Sequence, residues 1–279
     1  MSDLTNRRGK KQISNSKRNK KRPIPRSGSL RGYRATDPKA MPDDFDEQRP
    51  HDPKRSQAQI AGLIRLLAPT PKRVLDLGCG VGRVLCPLAQ AGHRLTGVDR
   101  STAALEQCQA ELKSAKCAAQ LIEADFTDPS IKLKRFDTIL CLGNTFMTFV
   151  DVDSTTEWLC GIVACLKRDG LLVIDDFPFE LWPELTGGNW QSGISDDGST
   201  QLIWQPGDSV FALRKNDAVD SDNWEIGPHD RTFRLWCEGS LRLLARAAGL
   251  SAPIRLARAG LIIMGRGDGV PPVRFGQLA

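Results

Sequence analysis

Val74-Leu75-Asp76-Leu77-Gly78-Cys79-Gly80-Val81-Gly82-Arg83 decides the fold of this 279-residue chain. The apolar residues Val74, Leu75 and Leu77 read as a short buried strand. Three glycines at alternate positions follow, and Val84, Leu85, Leu88 and Ala89 then start a helical pattern. A strand, a glycine turn and a helix N-terminus in this order make a ligand cradle. Glycine permits positive φ, lets backbone approach the ligand closely and leaves free N–H groups facing it. The next apolar segment, residues 94–98, ends in Asp99, close to the roughly 20-residue offset at which a carboxylate takes ribose hydroxyls. A dinucleotide fingerprint needs a third glycine where this chain has Arg83, so the spacing turns away from NAD.

Working outward, residues 53–67 have Ile60, Leu63, Ile64 and Leu67 on one helical face and stop before Pro69. Beyond Asp99, Ser101 is placed to N-cap a helix running to about residue 115. Residues 119–126 read as a strand ending in Asp125 and Phe126. Asp125 is open to two readings, an acceptor for an adenine amino group or the cap of the turn before Asp128-Pro129. Residues 136–144 form a further strand with a polar tip, residues 154–167 a helix closed by Asp169-Gly170, and residues 171–176 a fifth strand. This alternation predicts an α/β fold: a Rossmann-like, doubly wound, mostly parallel sheet. Residues 178–236 lose helical periodicity, carry five of the six tryptophans, and predict a small antiparallel β insert over the ligand site. Its aromatics line an acceptor pocket, build the insert's own core, or do some of each. A helix over residues 238–248 and two short strands around Ala259-Gly260 close the domain, the last strand antiparallel.

Charge divides the chain in two. Residues 1–34 hold twelve Lys/Arg against Asp3 alone, a net +11, whereas the rest carries 27 basic and 32 acidic side chains, a net −5. Residues 1–50 have almost no apolar periodicity and read as a disordered basic arm, with residues 51–279 as the folded domain. Such an arm suits RNA or another polyanion, or has no part in catalysis. No apolar run approaches the ~20 residues of a membrane span, and the eight cysteines form no C-x-x-C or zinc spacing. A cytoplasmic protein with reduced thiols and no metal is the expectation, its oligomeric state open.

Asp-Leu-Gly-Cys-Gly-Val-Gly, with Asp99 in register, resembles the first motif of class I S-adenosylmethionine-dependent methyltransferases. Residues 141–146 and 171–175 are similar to the corresponding pieces of glycine and sarcosine N-methyltransferases and of bacterial enzymes that dimethylate amino sugars. The resemblance spans about residues 55–267 and implies S-adenosylmethionine as cofactor, surrounded by Gly78, Gly80, Asp99, Asp125, Phe126 and Leu142. Their motif neighbours Asp76, Cys79, Gly82, Arg100 and Gly143 complete the expected cofactor set. Asn144 would then sit near the methyl group. Methyl transfer needs the acceptor aligned and water kept out, and a hydroxyl or carbon acceptor also needs a base. Asp175, Asp176 and His229 are the titratable candidates, each with a structural reading: a strand-end cap for the two aspartates, a turn residue for His229. Asn144, Asp176 and His229 form the expected catalytic set. The insert matches nothing in the resemblance. A small-molecule acceptor methylated at nitrogen or oxygen is the leading expectation. The alternatives are an RNA or protein methyltransferase recruiting substrate through the arm, and a binding protein without turnover.

Overall fold

The computed structural model describes residues 53–128, 131, 133, 135–177, 182–188 and 190–267. The basic arm of residues 1–50 lies outside them. The chain starts with α1 (Pro53–Leu67) and continues through β1 (Arg73–Leu77), α2 (Leu85–Gln90), β2 (Arg94–Asp99), α3 (Thr102–Ser114), β3 (Ala119–Glu123) and β4 (Phe136–Cys141). Then come α4 (Val152–Cys165), β5 (Leu166–Asp175) and α5 (Trp182–Thr186). Strands β6 (Gly193–Ile194), β7 (Thr200–Trp204), β8 (Val210–Lys215) and β9 (Thr232–Arg234) follow, and α6 (Glu238–Ala247), β10 (Ile254–Leu256) and β11 (Leu261–Gly265) complete the described chain.

Seven strands pair in the order β10-β11-β5-β4-β1-β2-β3. β1 to β5 run parallel, whereas β11 is antiparallel to both β5 and β10. Parallel strands carry helices on both faces, so their apolar residues are buried from both sides. Leu75, Leu77, Ile139 and Leu172 are fully buried, each burial worth roughly 1.5–3 kcal/mol. Ser101 caps α3 by accepting the Ala104 N–H, as its position in the sequence predicts.

The expected boundary near Asp169-Gly170 is displaced. Helix α4 starts under an Asp151 cap and ends at Cys165, and Leu166 passes directly into β5. Leu166 is buried and pairs with Phe136, after which the register jumps so that Thr138 faces Leu171. The charged stretch from Lys167 to Gly170 bulges between those pairs, and Lys167 reaches back to Asp137 at 2.8 Å. Local periodicity makes these residues the end of a helix; strand pairing overrides it.

The insert forms a separate antiparallel sheet, β6-β7-β8-β9. Trp204 pairs with Phe211 in the hairpin, their rings 4.9 Å apart, and Phe211 stacks on Phe233 at 5.4 Å. Trp204 is thus spent on the insert's core, while Trp236 is buried in the main core beside Phe146 at 5.7 Å. Arg214 grips Asp230 with two bonds of 2.7 Å, and Arg234 grips Asp208 while donating to the Val150 carbonyl.

Candidate active site

Because β1, β2, β3 and β4 are parallel, their carboxyl ends share one edge, the place where open α/β sheets hold ligands. A cavity of about 640 Å³ opens there. Of the expected residues, Gly78, Asp99, Arg100, Asp125, Phe126, Gly143 and Asn144 line it.

The glycine turn that forms one wall has φ of 71° at Gly78, 50° at Gly80 and 86° at Gly82. A Cβ on Gly78 would stand 3.1 Å from Thr145 Oγ1 and 3.6 Å from Phe126, closing the space between turn and opposite wall. Gly82 has a different reason to be glycine: its Cβ would meet Cys108 Sγ at 2.6 Å and Cys86 Sγ at 2.9 Å, so it seats the turn on α2 and α3. Asp99 fixes the turn from below. One carboxylate oxygen accepts the Gly80 N–H at 2.8 Å and the other the Ser101 N–H at 3.0 Å. The acid expected to face ribose therefore also braces the cradle.

Asp125 follows the turn-cap reading and also stands on the cavity wall. Its Oδ1 accepts from the Thr127 N–H at 2.9 Å and hydroxyl at 2.7 Å, capping the turn, while the residue lines the cavity. Phe126 leans on an aromatic wall that the sequence left unremarked: Phe149 and Trp158 both lie 6.2 Å from it, and Trp158 Nε1 donates to its carbonyl. Asn144 ends the β4 tip in the left-handed region, φ 62°, and its side chain makes no capping bond to the following turn. It lines the cavity with its amide available to a ligand.

Other expected residues stand back from the cavity. Asp76 is buried behind the turn, and burial pushes its carboxyl up to about 7; Arg83 pulls it down while Asp99 and Asp175 add to the rise. Cys79 and Leu142 point into the core. Cys79's thiol bonds to Cys108, and that bond together with burial pushes it up, so it stays protonated. Gly80 and Gly82 serve the turn itself. Two of the three catalytic candidates are misplaced for chemistry in this cavity. Asp176 is buried in an ion pair with Arg255 of β10, burial raising its carboxyl against the pull of Arg255. His229 sits exposed in a turn of the insert and does not line the cavity. His229 follows the turn reading of its sequence context, whereas Asp176 is the ion-pair partner of Arg255 and not a strand-end cap.

What the sequence missed is Asp175 as an anchor. Its Oδ2 accepts the Asn144 N–H at 2.5 Å and its Oδ1 accepts from Gln59 Nε2 at 2.7 Å. A strand-end acid is visible in sequence, but its partners lie 31 and 116 residues away. Arg231 of the insert also lines the cavity, with its guanidinium 4.9 Å over Phe233. Among the described residues no group of three or more His, Cys, Asp or Glu is arranged to hold a metal ion, and no helix is long and apolar enough to cross a membrane.

The edge cavity, the glycine turn with its bracing acid and the antiparallel last strand define a Rossmann-like methyltransferase fold. Residues 74–170 match the family model described as a methyltransferase domain. It is similar to a glycine/sarcosine N-methyltransferase of Aphanothece halophytica, 28% identical over 111 residues, and to a cypemycin N-terminal methyltransferase of Streptomyces, 34% identical over 104 residues. Those matches cover 39% and 37% of this chain and only 42% and 41% of the relatives. Among solved structures, the CcbJ methyltransferase of Streptomyces caelestis superposes with a TM-score of 0.59 at 18% identity, covering 81% of this chain and 96% of that one.

Proposed function

We propose that this protein transfers a methyl group from S-adenosylmethionine to a small-molecule acceptor, at nitrogen or oxygen. The observation that carries the reading is the set Gly78, Asp99, Asp125, Phe126 and Asn144 converging on one cavity at the carboxyl edge of the sheet. The residues fit the cofactor: Gly78, at positive φ and with Thr145 too close for a Cβ, keeps bare backbone on the cavity wall, and acids stand at the ends of β2 and β3. Asp99 would hold the ribose, Asp125 the adenine amino group, and Phe126 the ring. When bound, S-adenosylmethionine supplies a methyl already activated on a sulfonium. The chain's own task is then alignment and exclusion of water, which the Phe126, Phe149 and Trp158 wall serves. With Asp176 paired to Arg255 and His229 outside the cavity, the remaining titratable candidate is Asp175, whose carboxylate is engaged by the Asn144 N–H and by Gln59, an arrangement that suits an acceptor needing no base, such as a neutral amine. The name of one curated relative, a glycine/sarcosine N-methyltransferase, supports the same choice.

Asn144 orients the acceptor in this reading. Asn144→Ala should lower turnover at least tenfold, about 1.4 kcal/mol of transition-state stabilisation, and leave cofactor affinity nearly unchanged. The measurement is product formation from labelled cofactor against pools of amines, phenols, carboxylates and RNA, with calorimetric titration of S-adenosylhomocysteine on the same variant. Loss of turnover together with cofactor binding would remove the acceptor role. Absence of heat with either sulfur compound on the wild type would overturn the function.

A further inference from the structure

Arg83 occupies the place of the third glycine of a dinucleotide turn, and its guanidinium leaves the turn for α1. Nη1 donates to Gln59 Oε1 at 2.9 Å and to Ser56 Oγ at 3.1 Å. Gln59 is 3% exposed, an unusual degree of burial for a glutamine on a surface helix. Its Nε2 donates to Asp175 Oδ1 at 2.7 Å, with a longer contact of 3.4 Å to the Gly260 carbonyl. The other oxygen of Asp175 accepts the backbone N–H of Asn144, whose left-handed backbone must be held by its surroundings. One relay thus joins the glycine turn, α1, the end of β5 and the tip of β4.

Helix α1 is seated firmly enough to transmit this. A Cβ on Gly62 would lie 2.6 Å from Ala259 Cβ, so the helix rests directly on the turn between β10 and β11. Arg55 adds a bond to the Asp176 carbonyl at 2.5 Å. The charged groups around Gln59 are Arg83, Arg55, Asp175 and Asp176, and Asp76 acts on both Arg83 and Asp175, so its own titration is common to all three proteins compared below. An amide suits the position because it offers a donor to the carboxylate and an acceptor to the guanidinium while adding no charge.

We propose that Gln59 is a positioning residue of the cofactor site: from α1 it holds the Asp175 carboxylate, and through it the left-handed turn that presents Gly143 and Asn144 to the cavity. The proposal rests on the cofactor reading above. Leucine at this position satisfies neither neighbour, whereas glutamate keeps the arginine and repels Asp175 until a proton is shared between the two carboxyls.

The test measures S-adenosylhomocysteine affinity by calorimetry and amide exchange of residues 142–149 by mass spectrometry, at pH 8 and pH 5.5. The proteins are wild type, Gln59→Leu and Gln59→Glu, with melting curves confirming that each folds. Gln59→Leu should weaken affinity about tenfold and speed exchange at Asn144 about tenfold at both pH values, the size expected for losing bonds to charged groups. Gln59→Glu should show the same losses at pH 8 and recover most of them at pH 5.5 relative to Gln59→Leu. A role confined to packing α1 predicts no such recovery. Wild-type affinity and exchange in Gln59→Leu, or equal losses at both pH values in Gln59→Glu, would overturn the proposal. Should Gln59→Leu fail to fold, the pH pair on Gln59→Glu decides. A wild type that gives no heat refutes the cofactor reading instead, and exchange at Asn144 then decides the relay alone.

Discussion

At the carboxyl edge of the main sheet, acids bond to backbone amides: Asp99 holds Gly80 and Ser101, Asp175 holds Asn144, and Asp125 holds Thr127. In the four-stranded insert, acids bond to arginines: Asp230 takes Arg214 and Asp208 takes Arg234. The first arrangement fixes loop backbone in shapes that few residues adopt unaided. The second braces a sheet whose buried apolar cluster is small, centred on Phe211, Phe233 and Leu235. The insert's two acids also accept backbone amides, Gly227 N–H for Asp230 and Ser209 N–H for Asp208, so what the insert adds is an arginine partner on each of these acids, bracing a small sheet as well as a turn.

The largest effect should come from Asp76, which belongs to the ligand edge yet has no arginine bond of the insert kind. Its carboxyl loses a proton near 3.8 in the unfolded chain and at about 7 in the fold. Between those values the folded state binds more protons, so stability falls as pH rises from about 4 to about 7 and levels off above. The fall is at most about 4 kcal/mol, and Asp76→Asn should abolish it. Urea unfolding of both proteins at pH 5 and pH 8 checks this; parallel pH curves would show that Asp76 ionises freely in the fold.

Glycines sharpen the comparison next. Gly82→Val should cost about 3 kcal/mol, from positive φ and from collision with Cys86 and Cys108. Gly207→Val, at φ 80° in the insert hairpin with nothing near its Cβ, should cost only the strain, about 1–2 kcal/mol. Equal melting shifts would mean that the turn is not seated as tightly on α2 and α3 as the geometry states.

The arginine pairs come third. The Arg214–Asp230 side chains are 7% and 12% exposed, so Arg214→Met strands a buried carboxylate and should cost about 3 kcal/mol. Lys167→Met breaks a pair that is 44% and 26% exposed and should cost under about 1 kcal/mol. Neither should alter S-adenosylhomocysteine affinity, and a calorimetric change with Arg214→Met would break the division between the two regions. Asp99→Ala, by contrast, should weaken that affinity by about 2 kcal/mol, the value of hydrogen bonds to a charged group. Affinity unchanged there would confine Asp99 to bracing the turn.

How far the sequence carries is seen in particular residues. The strand-turn-helix at residues 74–90, the Ser101 cap and the antiparallel character of the insert are legible because each is decided by neighbours a few positions apart. The glycines, Asp99, Asp125 and Asn144 were legible as a set because strand ends in a parallel sheet share an edge. The start of β5 was not, because Leu166 is taken from the helical pattern by pairing with Phe136, thirty positions earlier. Nor could sequence tell Asp175 from Asp176. They are adjacent acids of the same chemistry, yet on the alternating sides of a strand one meets Asn144 and Gln59 and the other meets Arg255.

By itself, then, the sequence determined the alternation of strands and helices and the glycine cradle, both properties of short-range pattern, while the class of ligand came from the resemblance of that cradle to a known motif. Tertiary structure alone decided that Arg83 reaches α1, that Gln59 is buried between an arginine and an aspartate, and that the tryptophans of the insert divide between two cores. Those outcomes depend on which long, flexible polar side chains meet across large sequence separations, and a hydrogen bond between residues 59 and 175 leaves no periodic trace in either segment.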